Sequence, residues 1–277
     1  MTSISSTVHW VNLQTDPSFE QEQDQYETTC KKMLRNIKGI IFDFDGTLYD
    51  NVNFAFYLIS ANPFDVFRIH RERLVRSRFA GRDFLSQENY NRAFFWEMGK
   101  RSIKSPEKLK VWYFNKYMPR MIRVIKNHYK PRPGIPELLK QMESSTCSVK
   151  GAVYSDYPVL EERMKALGLS ISQKVPLYGP ESFGAQKPAV RPFLQIAKNM
   201  GLKPEEVLVI GDREETDGLG AFNAGMHFFC LETGNKRYFR LDPNRRRPYG
   251  EPQGPTMLMY AGKWEGLINL LLNGRNL

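Results

Sequence analysis

Gly39-Ile40-Ile41-Phe42-Asp43-Phe44-Asp45-Gly46-Thr47-Leu48-Tyr49-Asp50 passes from an apolar, β-branched run into two carboxylates one residue apart. The run has the composition of a strand buried on both faces. In an extended backbone, residues i and i+2 point the same way, so Asp43 and Asp45 leave the strand end close together. Two like charges at that spacing repel, and one takes up a proton unless a cation lies between them. Oxygen donors of this kind suit a hard cation, Mg²⁺ first among them. Gly46 permits a tight turn, and Thr47 adds a hydroxyl beside the pair. A surface turn is the competing reading, because Asp and Gly are common turn formers.

The rest of the chain separates the two readings. Downstream, Val149–Tyr154, Val175–Gly179, Val207–Ile210 and His227–Leu231 read as four more strands. Helical segments alternate with them: one opened by Pro136 and carrying Leu138, Leu139 and Met142, one over Pro158–Leu167 stopped at Gly168, and one around Phe193, Leu194, Ile196 and Ala197. A short helix follows over Leu219, Ala221 and Ala224, and residues 263–273 close the chain with Trp264, Leu267, Ile268 and Leu271. Alternation of this kind predicts an α/β fold, a Rossmann-like parallel sheet with helices on both faces. Ligands of such sheets bind beyond the carboxyl ends of the strands. Asp43 and Asp45, Ser155 and Asp212 all fall at those ends, and Lys187 lies in a loop before a helix.

In this order the motifs resemble those of the haloacid dehalogenase (HAD) superfamily of phosphohydrolases. Asp-Phe-Asp-Gly-Thr-Leu is similar to the family's first motif, Ser155 to its second, Lys187-Pro188 to its third, and Gly211-Asp212 with Asp217 to its acidic fourth. The resemblance covers residues 38–50 and 131–232. It implies that Asp43 is the nucleophile, Asp45 the general acid/base, and Lys187 a catalytic and substrate-binding cation. Thr47 and Ser155 would join Lys187 in binding substrate. Asp43, Asp45 (through its backbone carbonyl), Asp212 and Asp217 would hold or orient Mg²⁺. It further implies a phosphatase that hydrolyses a phosphate ester through an aspartyl-phosphate, with a helical cap inserted after the first strand. Asp45 argues against the dehalogenase branch, which lacks this acid/base, and a phosphomutase uses similar core residues. Two departures stand out: Ser155 is followed by Asp156-Tyr157-Pro158, and Lys187-Pro188 by Ala189, Val190 and Arg191. A non-catalytic binding or regulatory protein on the same scaffold would be expected to lose Asp43, Asp45 or Asp212, and all are present.

The expected organisation is therefore a 1–37 N-terminal extension, a core of 38–50 and 131–277, and a helical cap of 51–130. Within the extension, residues 1–18 carry no secondary-structure signal, and 19–36 suit a helix that is acidic first and basic last. In the insertion, Phe64, Phe67, Leu74, Val75 and Phe79 approximate one apolar helix face, Phe94–Trp96 mark a second helix, and a third runs from Pro106 to His128 with Pro119 expected to kink or break it. Such a block would have its own small core. Residues 235–255, rich in Arg, Pro and Gly, read as a loop.

Of 277 residues 41% are hydrophobic, enough for a sizeable core. No apolar run approaches the ~18 residues of a membrane span, and the N-terminus lacks a basic, then apolar leader. Cys30, Cys147 and Cys230 are too scattered for a disulfide framework or a metal cluster. A cytoplasmic protein without membrane partners is expected. The four histidines are scattered and carry no ligand pattern. The charge of +10 is uneven: residues 51–130 hold 17 Lys and Arg against 6 Asp and Glu, and the remainder 23 against 24. Arg68, Arg71, Arg73, Arg76, Arg78 and Arg82 are dense, and Arg suits phosphate recognition. The block is expected to attract a small phosphorylated substrate with more than one negative charge, one or two arginines touching it and the rest steering it. Direction of such a phosphatase to nucleic-acid ends is the less favoured reading of the same block.

Overall fold

The computed structural model describes residues 9–12, 36–100, 102, 104–144, 146–231, 258–262 and 264–273. Strands β1 (His9–Asn12) and β2 (Gly39–Phe42) are followed by the helices α1 (Phe54–Ser60), α2 (Val66–Phe79), α3 (Gln87–Gly99), α4 (Pro106–Trp112) and α5 (Met118–His128). Then come α6 (Ile135–Met142), β3 (Lys150–Tyr154), α7 (Leu160–Ala166), β4 (Leu177–Tyr178), α8 (Pro180–Phe183) and α9 (Val190–Met200). Strand β5 (Val207–Gly211), α10 (Leu219–Ala224), β6 (His227–Leu231), β7 (Leu258–Gly262) and α11 (Trp264–Asn273) complete the order. The strands form one sheet in the order β1-β7-β6-β5-β2-β3-β4, and every pairing is parallel.

Strand β2 lies near the middle because its sequence is apolar on both faces. Ile40 and Phe42 enter the buried cluster on one side and Ile41 the cluster on the other. Its register, Phe42 opposite both Val153 and Ile210, aligns the carboxyl ends of β2, β3 and β5. That alignment gathers the residues that follow the three strands.

Five strands were expected from the sequence, and the sheet has two more among the described residues. His9–Asn12, in the stretch given no secondary structure from the sequence, pairs with β7 at one edge, His9 opposite Leu258 and Asn12 opposite Ala261. The weak strand at Val175–Gly179 shortens to Leu177–Tyr178 at the other. The helix expected over 19–36 lies, apart from Asn36, outside the described residues, as do the 235–255 loop and Cys30. Among the described residues no helix is long and apolar enough to cross a membrane.

The helices between β2 and β3 depart from expectation in two ways. Their buried aromatics, among them Phe79, Phe94 and Tyr113, do not form a separate core; they are continuous with Ile40, Phe42, Val153 and Ile210 on one sheet face. The inner face of α2 is the predicted one only in part, at Val75 and Phe79. Phe64 and Phe67 are 94% and 85% exposed, Leu74 is exposed too, and the buried stripe is Ile69, Glu72, Val75, Arg76 and Phe79. Two polar residues occupy that stripe because they neutralise each other: Arg76 Nη2 lies 2.5 Å from Glu72 Oε1. Pro119 acts as expected. The α-helical register breaks into a π turn at Tyr113–Tyr117, and Pro119 sits in the first turn of the helix that resumes.

Candidate active site

At the end of β2 the backbone turns through Gly46, whose φ of 89° favours glycine. A Cβ there would collide with the carboxylate of Asp212. Arg132 pins this turn by donating from Nε to the Thr47 carbonyl and from Nη2 to the Gly46 carbonyl, both at 3.0 Å. The Asp43 amide donates to Ile210 O at 2.8 Å, which ties the turn to β5.

Two carboxylate environments result. Asp43, Asp212 and Asp217 are buried, and each offers an oxygen within 4.8 Å of the others. Lys187 Nζ lies between two of them, 2.6 Å from Asp43 Oδ1 and 2.7 Å from Asp217 Oδ1. Burial pushes the Asp43 carboxyl up to about 7, with Asp217 and Asp45 adding to the rise and Lys187 opposing it. Burial likewise raises Asp217 against the pull of Lys187. Burial alone would lower the Lys187 ammonium, but Asp217 and Asp43 outweigh it and hold Lys187 above its ordinary value. Lys187 thus pairs with Asp43 and Asp217, and Asp212 places a third buried carboxylate beside them. An octahedral Mg²⁺ with oxygens at about 2.1 Å has ligands roughly 3 to 4 Å apart. The spacing and the all-oxygen chemistry of the three carboxylates fit such an ion.

Asp45 is placed otherwise. Its Oδ1 accepts from Tyr49 OH at 2.7 Å, and its Oδ2 accepts from Ser155 Oγ at 3.3 Å and pairs with Arg163 Nη2. Its carboxylate is outside the three-carboxylate group. Thr47 and Ser155, expected to face substrate, are fully buried. Thr47 donates to Asp43 Oδ2 at 3.2 Å, while Ser155 donates to Asp45 and accepts from the Tyr157 amide at 3.1 Å and from Arg163 Nη1 at 2.9 Å. Both hydroxyls therefore orient carboxylates.

The residues that depart from the family pattern are used. Asp156 Oδ1 accepts from the Lys187 amide at 2.9 Å, and the Asp156 carbonyl accepts from Arg76 Nη1 at 2.6 Å. The Tyr157 ring lies beneath the Arg76 guanidinium, 3.9 Å from its centroid. Arg191 reaches Asp83 of the inserted segment at 2.5 and 2.7 Å. Residues 81–84 also exchange backbone hydrogen bonds with 184–187, on the loop that carries Lys187.

A cavity of about 880 Å³ opens over the site. Asp43, Asp45, Lys187 and Asp212 line its floor, and Arg73 and Tyr117 from the inserted helices line its roof. Of the dense arginines, Arg73 and Arg76 reach this cavity, whereas Arg68 pairs with Asp65 at 2.7 Å and Arg78 with Glu97 at 3.3 Å. Sequence reasoning missed Arg163 and Tyr49. The one signal was that Tyr49 follows Asp45 by four residues; nothing marks Arg163.

The family model for haloacid dehalogenase-like hydrolases matches residues 37–225. The chain belongs to the haloacid dehalogenase-like hydrolase family. It is 30% identical, over 69% of its length and 82% of the relative's, to a glyceraldehyde 3-phosphate phosphatase of Methanocaldococcus jannaschii. A glyceraldehyde 3-phosphate phosphatase of Methanothermobacter thermautotrophicus is 25% identical over 69% of this chain and 83% of the relative. Among solved structures, the L-2-haloacid dehalogenase of Xanthobacter autotrophicus aligns with a TM-score of 0.52 at 18% identity, covering 86% of this HAD chain and 99% of the other. A hydrolase from Pseudomonas syringae aligns with a TM-score of 0.50 at 23% identity, over 84% and 97%. Both likenesses concern the fold.

Proposed function

We propose that this HAD hydrolase is a Mg²⁺-dependent phosphatase that cleaves a phosphate monoester through an aspartyl-phosphate on Asp43. The observation that carries the reading is the group Asp43, Asp212 and Asp217 beyond the adjacent ends of β2 and β5, with Lys187 paired to Asp43 and Asp217. Asp43, Asp212 and Asp217 would hold the ion, joined by the Asp45 backbone carbonyl; when bound, Mg²⁺ offsets the charge of the phosphoryl group and the carboxylates. The Asp43 carboxylate, aimed by Thr47, attacks phosphorus, and the ester P–O bond breaks. Asp45 gives its proton to the leaving oxygen and then takes one from the water that hydrolyses the aspartyl-phosphate. Lys187 stabilises charge on the transferring group. The helices of residues 51–130 serve as the cap over this site.

The cavity suits a small phosphorylated substrate better than a polymer. The names of the relatives make glyceraldehyde 3-phosphate the first compound to assay. The presence of Asp45 favours phosphate ester cleavage over dehalogenation; its carboxylate must take up a proton before it can give one to the leaving oxygen.

Rapid quench with ³²P-labelled substrate tests the reading. Wild-type protein should trap a phosphoenzyme that maps to Asp43. Asp45→Asn should accumulate it with substrates that have good leaving groups, and Asp43→Asn should abolish it. A phosphoenzyme that survives in Asp43→Asn, mapped to another residue, refutes the nucleophile.

A further inference from the structure

We infer that Arg163 is the positioning residue of the acid/base step, holding the Asp45 carboxylate in place while Ser155 turns from Asp45 to the substrate. The inference rests on the reading of Asp45 given above. Arg163 lies on α7 and its side chain is 0% exposed. It uses its planar fork in two directions. Nη2 pairs with Asp45 Oδ2, and Nη1 donates to Ser155 Oγ at 2.9 Å and to the Tyr157 carbonyl at 3.2 Å. The guanidinium is held over the Phe44 ring at 4.5 Å and the Tyr157 ring at 5.5 Å. Its place is thus set by aromatic packing and by the Tyr157 backbone as well as by its acidic partner.

A hydroxyl has one proton to give. Ser155 spends it on Asp45 Oδ2. To donate to a phosphoryl oxygen, Ser155 must withdraw it from Asp45. Tyr49 holds only Oδ1, so without Arg163 the carboxylate would then be free to swing about that single bond. Arg163 removes this freedom. Its bond to Oδ2 persists whichever way the hydroxyl points, and its bond to Ser155 Oγ fixes the oxygen while the hydrogen rotates. Arg163 neither gives nor takes a proton: Asp45 protonates the leaving oxygen and later deprotonates water, with the guanidinium charged throughout. A lysine at this place offers a point charge without the fork.

Such a role acts on the steps that need Asp45. Loss of the leaving group depends on acid help when the leaving group is an alkoxide and far less when it is p-nitrophenolate. The test compares kcat/KM for glycerol 3-phosphate and p-nitrophenyl phosphate in wild type, Arg163→Lys, Arg163→Met and Asp45→Asn, together with the steady-state phosphoenzyme level. Arg163→Met should lose about 100-fold on the alkyl phosphate, as expected for a displaced catalytic group. On the aryl phosphate it should lose about tenfold or less, and phosphoenzyme should accumulate. Arg163→Lys should show the same selectivity at smaller size. If Arg163→Met does not fold, Arg163→Lys carries the comparison, because it retains the charge opposite Asp45. Equal losses on both phosphates without phosphoenzyme accumulation, or no loss, overturn the inference while Asp45→Asn still discriminates between them. If Asp45→Asn does not discriminate, the acid/base reading falls and takes this inference with it.

Discussion

The molecule buries charge in two places, and the two are balanced differently. In the inserted helices each buried acid is met by at least one cation. Glu72 pairs with Arg76 and also accepts from Tyr117 at 3.3 Å; Asp65 sits between Arg68 at 2.7 Å and Arg120 at 2.8 Å. Burial would raise Asp65, but the arginines outweigh it and hold its carboxyl below the usual range. At the strand ends Lys187 pairs with Asp43 and Asp217, Asp212 adds a third buried carboxylate beside them, and burial lifts Asp43 to about 7. Balanced charges fix helices against one another. Three buried carboxylates in one place are costly in isolation, and we propose that a cation and an anionic substrate complete that place.

The largest expected effect lies in the unbalanced group. Asp43→Asn should lower turnover by about 10⁴-fold or more, yet leave Tm unchanged or raised, because it removes one of three crowded charges. A large fall in Tm would mean that the group is structural, like its counterpart in the inserted helices. The balanced group should behave in the opposite way. Glu72→Ala strands Arg76 and should cost about 3–5 kcal/mol, a fall in Tm of roughly 10 °C. Turnover per folded molecule at 15 °C should change little; a loss as large as that of Asp43→Asn would place Glu72 in the chemistry. Smaller still is the effect of Arg73, which lines the cavity from α2. Arg73→Glu should lower kcat/KM about tenfold at low salt for a substrate with a second anionic group, and less for p-nitrophenyl phosphate. The difference should shrink at high salt, since screening acts beyond about 8–10 Å. A salt response identical to wild type would show that the basic face only solvates the helices.

The buried strands were legible because apolar β-branched runs have few other uses, and Val207–Gly211 and His227–Leu231 match their predicted places closely. Asp43 and Asp212 were legible because strand-end position and residue type agree; Lys187 and Asp217 were legible only through the order of the motifs. Arg163 was not. In the sequence it is one of several charged residues on a short amphipathic helix, and only the fold turns it inward beneath Asp45. The inner face of α2 was misread in part for a related reason: a hydrophobic count scores Glu72 and Arg76 as outward, although a buried pair can occupy a core stripe. Strands β1 and β7 support each other from opposite ends of the chain, and no local pattern displays that pairing.

The strand-end carboxylates are proposed to form a cation site. Differential scanning calorimetry of the wild type and Asp212→Asn, each in EDTA and in Mg²⁺, tests it most directly. At pH 8 the ion should stabilise the wild type by about 2.7 kcal/mol at a hundredfold excess over Kd, a rise in Tm of roughly 5–10 °C. The gain should be smaller at pH 5.5, where a carboxyl raised to about 7 must first lose its proton to bind the ion. In Asp212→Asn the gain should largely vanish. The same Tm in EDTA and in Mg²⁺ at pH 8, together with full turnover in excess chelator, would contradict the account.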